Sequence, residues 1–325
     1  MRSNTITRRS VLLATTAFAL SFNTQAAGDA AAWPNAKPIT WIVGFAPGGS
    51  LDVLTRIAAR KLSEKTGQSV IVDNRPGASG AIALQAAAKA APDGYTLITV
   101  PGPILFKVQP PELGNQLVAV GMLAQGPMVL VGGASNAPAT VAELIKAIKS
   151  RPNAWSYGSS GNGTSQHLAA ELFNVSAGTA MTHIPYKGGG QAVIDVVGGQ
   201  IPLAVLGVTP VLPHIRSGKL KAYAVTTNYR IESLPDVPTM QEAGLKGYDA
   251  TQWYAVGTPK GTPAEYVTTL NGWLNEITAS AEMKPALVSS GSVAGKGSSI
   301  VTQAFVATDT LRWRELAKKS KLDLE

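Results

Sequence analysis

The chain has 325 residues, of which 45% are hydrophobic, 15% charged and 6% aromatic, with 33 Gly, 21 Pro, three His and no Cys. Without cysteine it forms no disulfide, iron–sulfur cluster or thiolate zinc site, and three histidines leave little for a metal cage. The 28 basic residues against 20 acidic ones give +8, but Arg56, Arg60, Lys61 and Lys65 stand singly beside acids such as Glu64, as solvated helix faces do. With so few aromatics, that pattern excludes a nucleic-acid platform; the length suits two domains of about 150 residues.

Residues 1–10 carry Arg2, Arg8 and Arg9 and no acid; an apolar run from Val11 to Leu20 follows, then small residues at Ala26 and Ala27. This is the layout of a secretory signal, too short to span a bilayer comfortably, and it predicts that residues 1–27 are an export signal and the mature chain periplasmic. Thr7-Arg8-Arg9-Ser10-Val11-Leu12-Leu13 resembles a twin-arginine box, with Val11 and Leu13 where that box usually has Phe and Lys. Without the three leader arginines, 25 basic residues face 20 acidic ones, a balance of +5 that favours small anions. No later stretch reaches 18 uninterrupted apolar residues, so no other segment is expected to cross a membrane.

From there strands and helices alternate. Residues 39–45 form a short β-branched apolar run, broken by Ala46-Pro47-Gly48-Gly49-Ser50. Leu51, Leu54, Ile57, Ala58 and Leu62 then recur at helical spacing up to Gly67. A strand at 70–72, an Ala-rich helix at 81–90 and a strand at 95–100 complete a βαβαβ run, which implies a parallel sheet. Thr140-Val-Ala-Glu143 is a capping box opening a helix to about Ser150. Strands follow at 155–159, 181–185, 203–208 and 222–226, with helices at 166–173 and 192–197. Thr262-Pro-Ala-Glu265 predicts a second capping box with Pro at the first helical position, and an amphipathic helix at 301–319 closes the chain. The fold class is α/β, with two lobes that exchange near 100–130.

In open α/β sheets, ligands sit beyond the carboxyl ends of strands, where loops meet helix N-termini. Two junctions have that chemistry. In Phe45-Ala-Pro-Gly-Gly-Ser-Leu-Asp52, Gly48 and Gly49 let main-chain N–H groups approach a ligand, and Ser50 caps the helix or donates its hydroxyl. Tyr157-Gly-Ser-Ser-Gly-Asn-Gly-Thr-Ser-Gln-His167 is glycine- and hydroxyl-rich, with no charge before His167. Facing each other, two such termini make an anion site without Arg or Lys. Asp52 has two readings, a hydrogen bond to a ligand amine or a favourable first-turn acid. His183 and His214 read as structural, and Asp195 as a tie for the loop around Gly188-Gly-Gly190.

Phe45-Ala-Pro-Gly-Gly-Ser-Leu-Asp52, Asp73-Asn-Arg-Pro-Gly-Ala-Ser-Gly80, Pro92-Asp-Gly-Tyr-Thr-Leu97, Tyr157-Gly-Ser-Ser-Gly161, His167-Leu-Ala-Ala-Glu171, Pro185-Tyr-Lys-Gly188 and Leu234-Pro-Asp-Val-Pro-Thr239, in this order, resemble the Bug receptors. These are the extracytoplasmic solute receptors of tripartite tricarboxylate transporters. The resemblance implies a periplasmic solute-binding fold of two hinged lobes, each a mostly parallel sheet flanked by helices. Residues 33–125 with about 245–325 would form one lobe and about 126–244 the other. It implies a carboxylate ligand held by Phe45, Ala46, Gly48, Gly49, Ser50 and Asp52 on one side, and by Ser159, Ser160, Asn162, Thr164 and His167 on the other. The departure is Pro103-Ile-Leu-Phe-Lys-Val-Gln-Pro-Pro-Glu112, shorter than the family's usual insert; Ile104, Leu105 and Phe106 lean toward an apolar or aromatic ligand body.

The expectation is a monomeric, non-catalytic receptor, with no cofactor or metal, that delivers a carboxylate-bearing solute to membrane transporter subunits. A periplasmic sensory adaptor reading the same closed shape is the alternative. A secreted hydrolase using Ser160 and His167 is more remote, since no G-x-S-x-G elbow, P-loop or G-x-G-x-x-G fingerprint is present.

Overall fold

The computed structural model describes residues 33–106, 110–135 and 137–319, so the export-signal reading of 1–27 lies outside the described residues. Strand β1 (Ile39–Val43) pairs in parallel with β2 (Val70–Asn74) and β3 (Thr96–Gly102). Helices α1 (Ser50–Thr66) and α2 (Ala81–Ala88) make the crossovers. Leu54, Ala58 and Leu62 put one apolar face of α1 on the sheet, and Gly67, at φ 68°, ends the helix in the left-handed conformation that a Cβ disfavours. The buried Trp41 indole of β1 donates to Thr99 Oγ1 on β3 at 2.8 Å, and Thr99 Oγ1 lies 2.9 Å from Thr55 Oγ1 on α1. That chain satisfies the indole N–H and pins helix to strands.

The sheet turns on β4 (Leu117–Gly133). Its residues 117–127 pair antiparallel with β9 (Thr251–Pro259), which itself lies beside β3. From Met128 onward β4 pairs instead with β7 (Leu203–Gly207) and β8 (Leu220–Val225). Beyond β7 lie β5 (Ser156–Ser159) and β6 (Thr182–Pro185), parallel to each other and, for β5, to β7. The two-residue β10 (Val293–Ala294) adds to the first half of β4. Each half of the sheet therefore holds a parallel trio, and antiparallel strands complete it. One strand carries both halves and changes partners between Pro127 and Met128.

Helices α3 (Val141–Ser150), α4 (Ser165–Ala177), α5 (Gly189–Val197) and α6 (Val208–Arg216) cover the second half. After β9 come α7 (Ala264–Thr278), α8 (Lys284–Ser290) and α9 (Ser299–Lys319). The Thr140 box forms: Thr140 Oγ1 accepts from Glu143 N–H at 3.2 Å, and the Glu143 carboxylate accepts Ala139 N–H at 2.7 Å. The Thr262 box does not. Its buried hydroxyl donates back to the Pro259 carbonyl at 2.8 Å and faces Thr258, so Pro263 takes the N-cap position of α7 without a side-chain cap.

Two packing features matter later. Trp33 stacks on Tyr266 (ring centroids 4.2 Å apart) and on Trp273 (5.4 Å), which fastens the start of the described chain to α7. Helix α9 serves both halves: Val306 packs with Ala83, Leu84 and Ile98 of the first, while Trp313 and Ala317 pack with Leu144, Leu168 and Phe173 of the second.

Candidate functional site

The turn from β1 into α1 is held by one buried carboxylate. Asp52 accepts Gly48 N–H at 3.0 Å, Arg56 Nε at 3.0 and 3.1 Å, and Asn74 Nδ2 at 2.9 Å. Burial pushes the Asp52 carboxyl up, but the bonds from Arg56, Asn74 and Gly48, with the Arg56 charge, outweigh it and hold the pKa below the usual carboxylate range. Asn74 also donates to the Phe45 carbonyl at 3.0 Å. Loop 45–50 is thus tied at both ends, and Gly49, in the N-cap position, leaves the space beside its α-carbon open.

The turn from β5 into α4 is self-satisfied in the same way. Ser160 N–H donates to Gln166 Oε1 at 2.9 Å, Thr164 Oγ1 donates to the Gly161 carbonyl at 2.8 Å, and Thr164 caps α4 through His167 N–H. Behind the loop, His167 Nδ1 accepts Gly163 N–H at 3.0 Å, which leaves a neutral ring its proton on Nε2. His167 stacks 3.9 Å from His183, whose Nε2 lies 2.7 Å from Ser159 Oγ. Burial, with His167 adding to it, pushes the His183 pKa down to about 3. Tyr157 completes the stack and donates to Glu171 Oε1 at 2.5 Å; burial and that carboxylate raise its pKa.

Two further helix starts face the same space. Gly188 precedes α5, and Gly207 precedes α6. The loop ahead of α5 is tied down by Tyr186, whose hydroxyl donates to Asp195 Oδ2 at 2.6 Å. The halves of the protein meet across it: Ala46 N–H donates to the Lys187 carbonyl at 3.1 Å, Leu105 N–H to the Gly163 carbonyl at 2.9 Å, and Ile104 bridges Thr164. Glycine permits these contacts. A Cβ at Gly163 would lie 1.8 Å from the Leu105 carbonyl oxygen, and one at Gly207 would lie 2.5 Å from Ser50 Oγ.

Between these elements lies a cavity of about 510 Å³. First-turn or capping residues of four helices line it: Gly49, Ser50 and Asp52 for α1, Thr164, Ser165 and Gln166 for α4, Gly188 and Gly189 for α5, Gly207 and Pro210 for α6. Early N–H groups of a helix have no partner within it, and the helix dipole adds partial positive charge there. No Lys, Arg or His lines the cavity, and Asp52 is its one acid. Ser50 is 5% exposed, and its Oγ has no hydrogen-bond partner of good geometry. It faces the Tyr254 hydroxyl, whose pKa burial raises and the Ser50 contact partly lowers. The wall is closed by Phe45, Leu51, Pro101 and Ile104.

Of the residues singled out from sequence, the structure brings Phe45, Ala46, Gly49, Ser50, Asp52, Ser160 and Thr164 to this cavity. Gly48 lies behind it, on Asp52. Asn162 faces an adjoining cleft of about 540 Å³ that shares Phe45 and Ser160. Ser159 and His167 are buried beneath the loop in the histidine stack. The Ser–His contact in this region is therefore Ser159 with His183, shut away from the cavity, rather than Ser160 with His167. Sequence reasoning missed Gly207, Pro210, Gln252 and Tyr254. The glycine between the apolar run 203–206 and Pro210 was the available signal for a further strand-to-helix turn. Of the apolar trio, Ile104 lines the cavity, Leu105 belongs to the core, and Phe106 lines a separate cleft against α9.

A chamber closed between two half-sheets, ringed by helix N-termini, is the architecture of a solute-binding protein. The model of the tripartite tricarboxylate transporter family receptor matches residues 54–322, and the chain belongs to that family. Protein BugT of Bordetella pertussis is 37% identical over 297 residues, covering 89% of this chain and 91% of its own length. An R. palustris protein solved with adipate is 34% identical with a TM-score of 0.85, covering 89% of this chain and 98% of its own. MatC from Rhodopseudomonas palustris, solved with bound malate, is 27% identical with a TM-score of 0.80, covering 86% and 98%. The chain is a receptor of this transporter family and not an enzyme.

Proposed function

We propose that the protein captures a carboxylate-bearing organic acid in the periplasm and hands it to the membrane subunits of a tripartite transporter. The observation that carries the reading is the single cavity lined by the first turns of α1, α4, α5 and α6, with no cationic side chain. Main-chain N–H groups and helix ends are the donors available to an anion there. A hydrogen bond to a charged group contributes roughly 1.5–3 kcal/mol. Four or five of them reach the roughly −8 kcal/mol of micromolar affinity after association costs. The adipate and malate carried by the two solved relatives support the same ligand class.

Export through the signal at 1–27 supplies the location, and the protein acts as a monomer. Residues 33–125 with about 245–325 form one lobe and 126–244 the other; the partner change of β4 at Pro127–Met128 and the start of β9 at Thr251 support a hinge there. Ligand favours the closed form through contacts made to both lobes at once. The loops of Phe45–Ser50 and Ser159–Thr164 supply the binding site, with Asp52, Asn162 and His167 holding or extending it. The test is a thermal-shift screen over mono-, di- and tricarboxylates, sugars and amines, followed by calorimetry. Acids that raise the melting temperature support the reading. A shift from neutral or cationic compounds alone overturns it.

A further inference from the structure

We infer that the solute is a dicarboxylate dianion without an ammonium group, and that Ser50 with the N-terminus of α6 is the subsite for its second carboxylate. The inference rests on the carboxylate reading above and narrows it.

Charge balance comes first. A helix N-terminus acts as roughly half a positive elementary charge, so four of them around one cavity amount to about +2. A monoanion leaves about half of that unmatched, whereas a dianion balances it. Asp52 does not alter the balance, because its carboxylate is already matched by Arg56 and bonded by Asn74 and Gly48. For the same reason nothing in the cavity pairs with an ammonium. Asp52 is the one acid in the lining, and four positive helix ends repel a cation.

Position comes second. Loop 45–50 and the start of α4 account for two N-termini. The other end of the cavity is closed by Gly207, which precedes α6, together with Gln252 and Tyr254 of β9. Ser50 Oγ points there: a Cβ on Gly207 would meet it at 2.5 Å and would meet Gln252 Nε2 at 3.0 Å. That hydroxyl is buried without a partner of good geometry, and a buried polar group left so is costly unless a ligand completes it. Gln252 Nε2 is itself engaged by the Pro127 carbonyl at 3.0 Å, which fixes the amide as a wall of this pocket. A second carboxylate oxygen here would accept from Ser50 Oγ–H and from the first N–H groups of α6.

The experiment is calorimetry on the full mature chain with matched sets of acids. It uses the α,ω-dicarboxylates of three to eight carbons, their 2-amino counterparts such as aspartate and glutamate, and the monocarboxylates of equal length. The expected result is that the best dicarboxylate binds roughly 10- to 100-fold tighter than its amino and monocarboxylate partners. Ser50→Ala is expected to shrink that ratio to within about threefold while leaving the monocarboxylate affinity unchanged. An amino acid or monoacid that binds within threefold of its dicarboxylate overturns the inference and leaves the carboxylate reading standing. Binding by none of these acids overturns both.

Discussion

Ala46 and Lys187 are joined across the cleft: the Ala46 N–H donates to the Lys187 carbonyl at 3.1 Å, although the two residues belong to different halves of the sheet. The neighbouring Gly188 makes room, since a Cβ there would lie 3.2 Å from Ala46 Cβ and 3.3 Å from Ala46 N. At φ 162° its backbone is extended, so a side chain strains the contact and not the chain. Gly188→Val is expected to weaken ligand roughly 2- to 10-fold, the worth of one main-chain bond, with an unchanged ligand-free melting temperature. Calorimetry on the variant checks this, and an unaltered Kd removes the bond from the closing contacts.

Gly49 sits where a side chain meets no protein atom within 4 Å, and it lines the cavity. Gly49→Val is expected to weaken the acid roughly 10- to 100-fold by occupying its place. The N-cap change costs about 1 kcal/mol, so the melting temperature falls by only about 2–4 °C. Circular dichroism melts beside calorimetry separate the two effects.

Asn74 bonds both the Phe45 carbonyl and the Asp52 carboxylate. Asn74→Ala is expected to cost about 2 kcal/mol, because two partly buried acceptors lose a donor. It also changes the acid limb of the stability curve. The folded Asp52 pKa lies below its model value of 3.8, so its stabilisation is full above that value and fades as pH falls through the lower folded pKa. With one of the lowering bonds removed, the fade begins at higher pH. Denaturant titrations between pH 7 and 3 read it out.

His183 titrates the other way. Its folded pKa is pushed from 6.5 to about 3, so the unfolded chain takes up this proton first. Stability is therefore complete above about pH 6.5 and declines as pH falls toward 3, with a slope that approaches about 1.4 kcal/mol per pH unit for this group. His183→Gln keeps a hydrogen-bonding partner for Ser159 and removes the titration. The difference curve between wild type and variant should be flat above pH 7 and steep between 6 and 4. A flat difference over the whole range refutes the assignment.

The early βαβαβ run was legible because each signal stood alone: an apolar run, a glycine-rich break, then helical periodicity. Strand β4 was not. Gly121, Gly126, Pro127 and Gly132 punctuate it like a chain of turns, yet each serves a continuous strand. Gly121 leaves room for Asn271 and Leu274 of α7, Gly126 for Ser292, and Pro127 stands where the pairing partner changes. Helix α6 was hidden by Pro210 and Pro213, residues that argue against a helix unless the first falls in its opening turn, as Pro210 does. Helix α5 was expected to begin near Ala192, and its true start at Gly189 carries the main-chain groups that reach the cavity. So two of the four helix ends were legible, and the other two depended on contacts between distant strands.

Helix α9 is 21 residues long, about 30 Å of rod. Because Val306 is rooted among the residues of one half and Trp313 among those of the other, neither half can melt while the other keeps its last helix in place. Two half-sheets would ordinarily suggest two heat-absorption peaks. Here a single calorimetric peak follows, with equal van't Hoff and calorimetric enthalpies, and a chain cut before Trp313 would lose that cooperativity at both ends of the molecule.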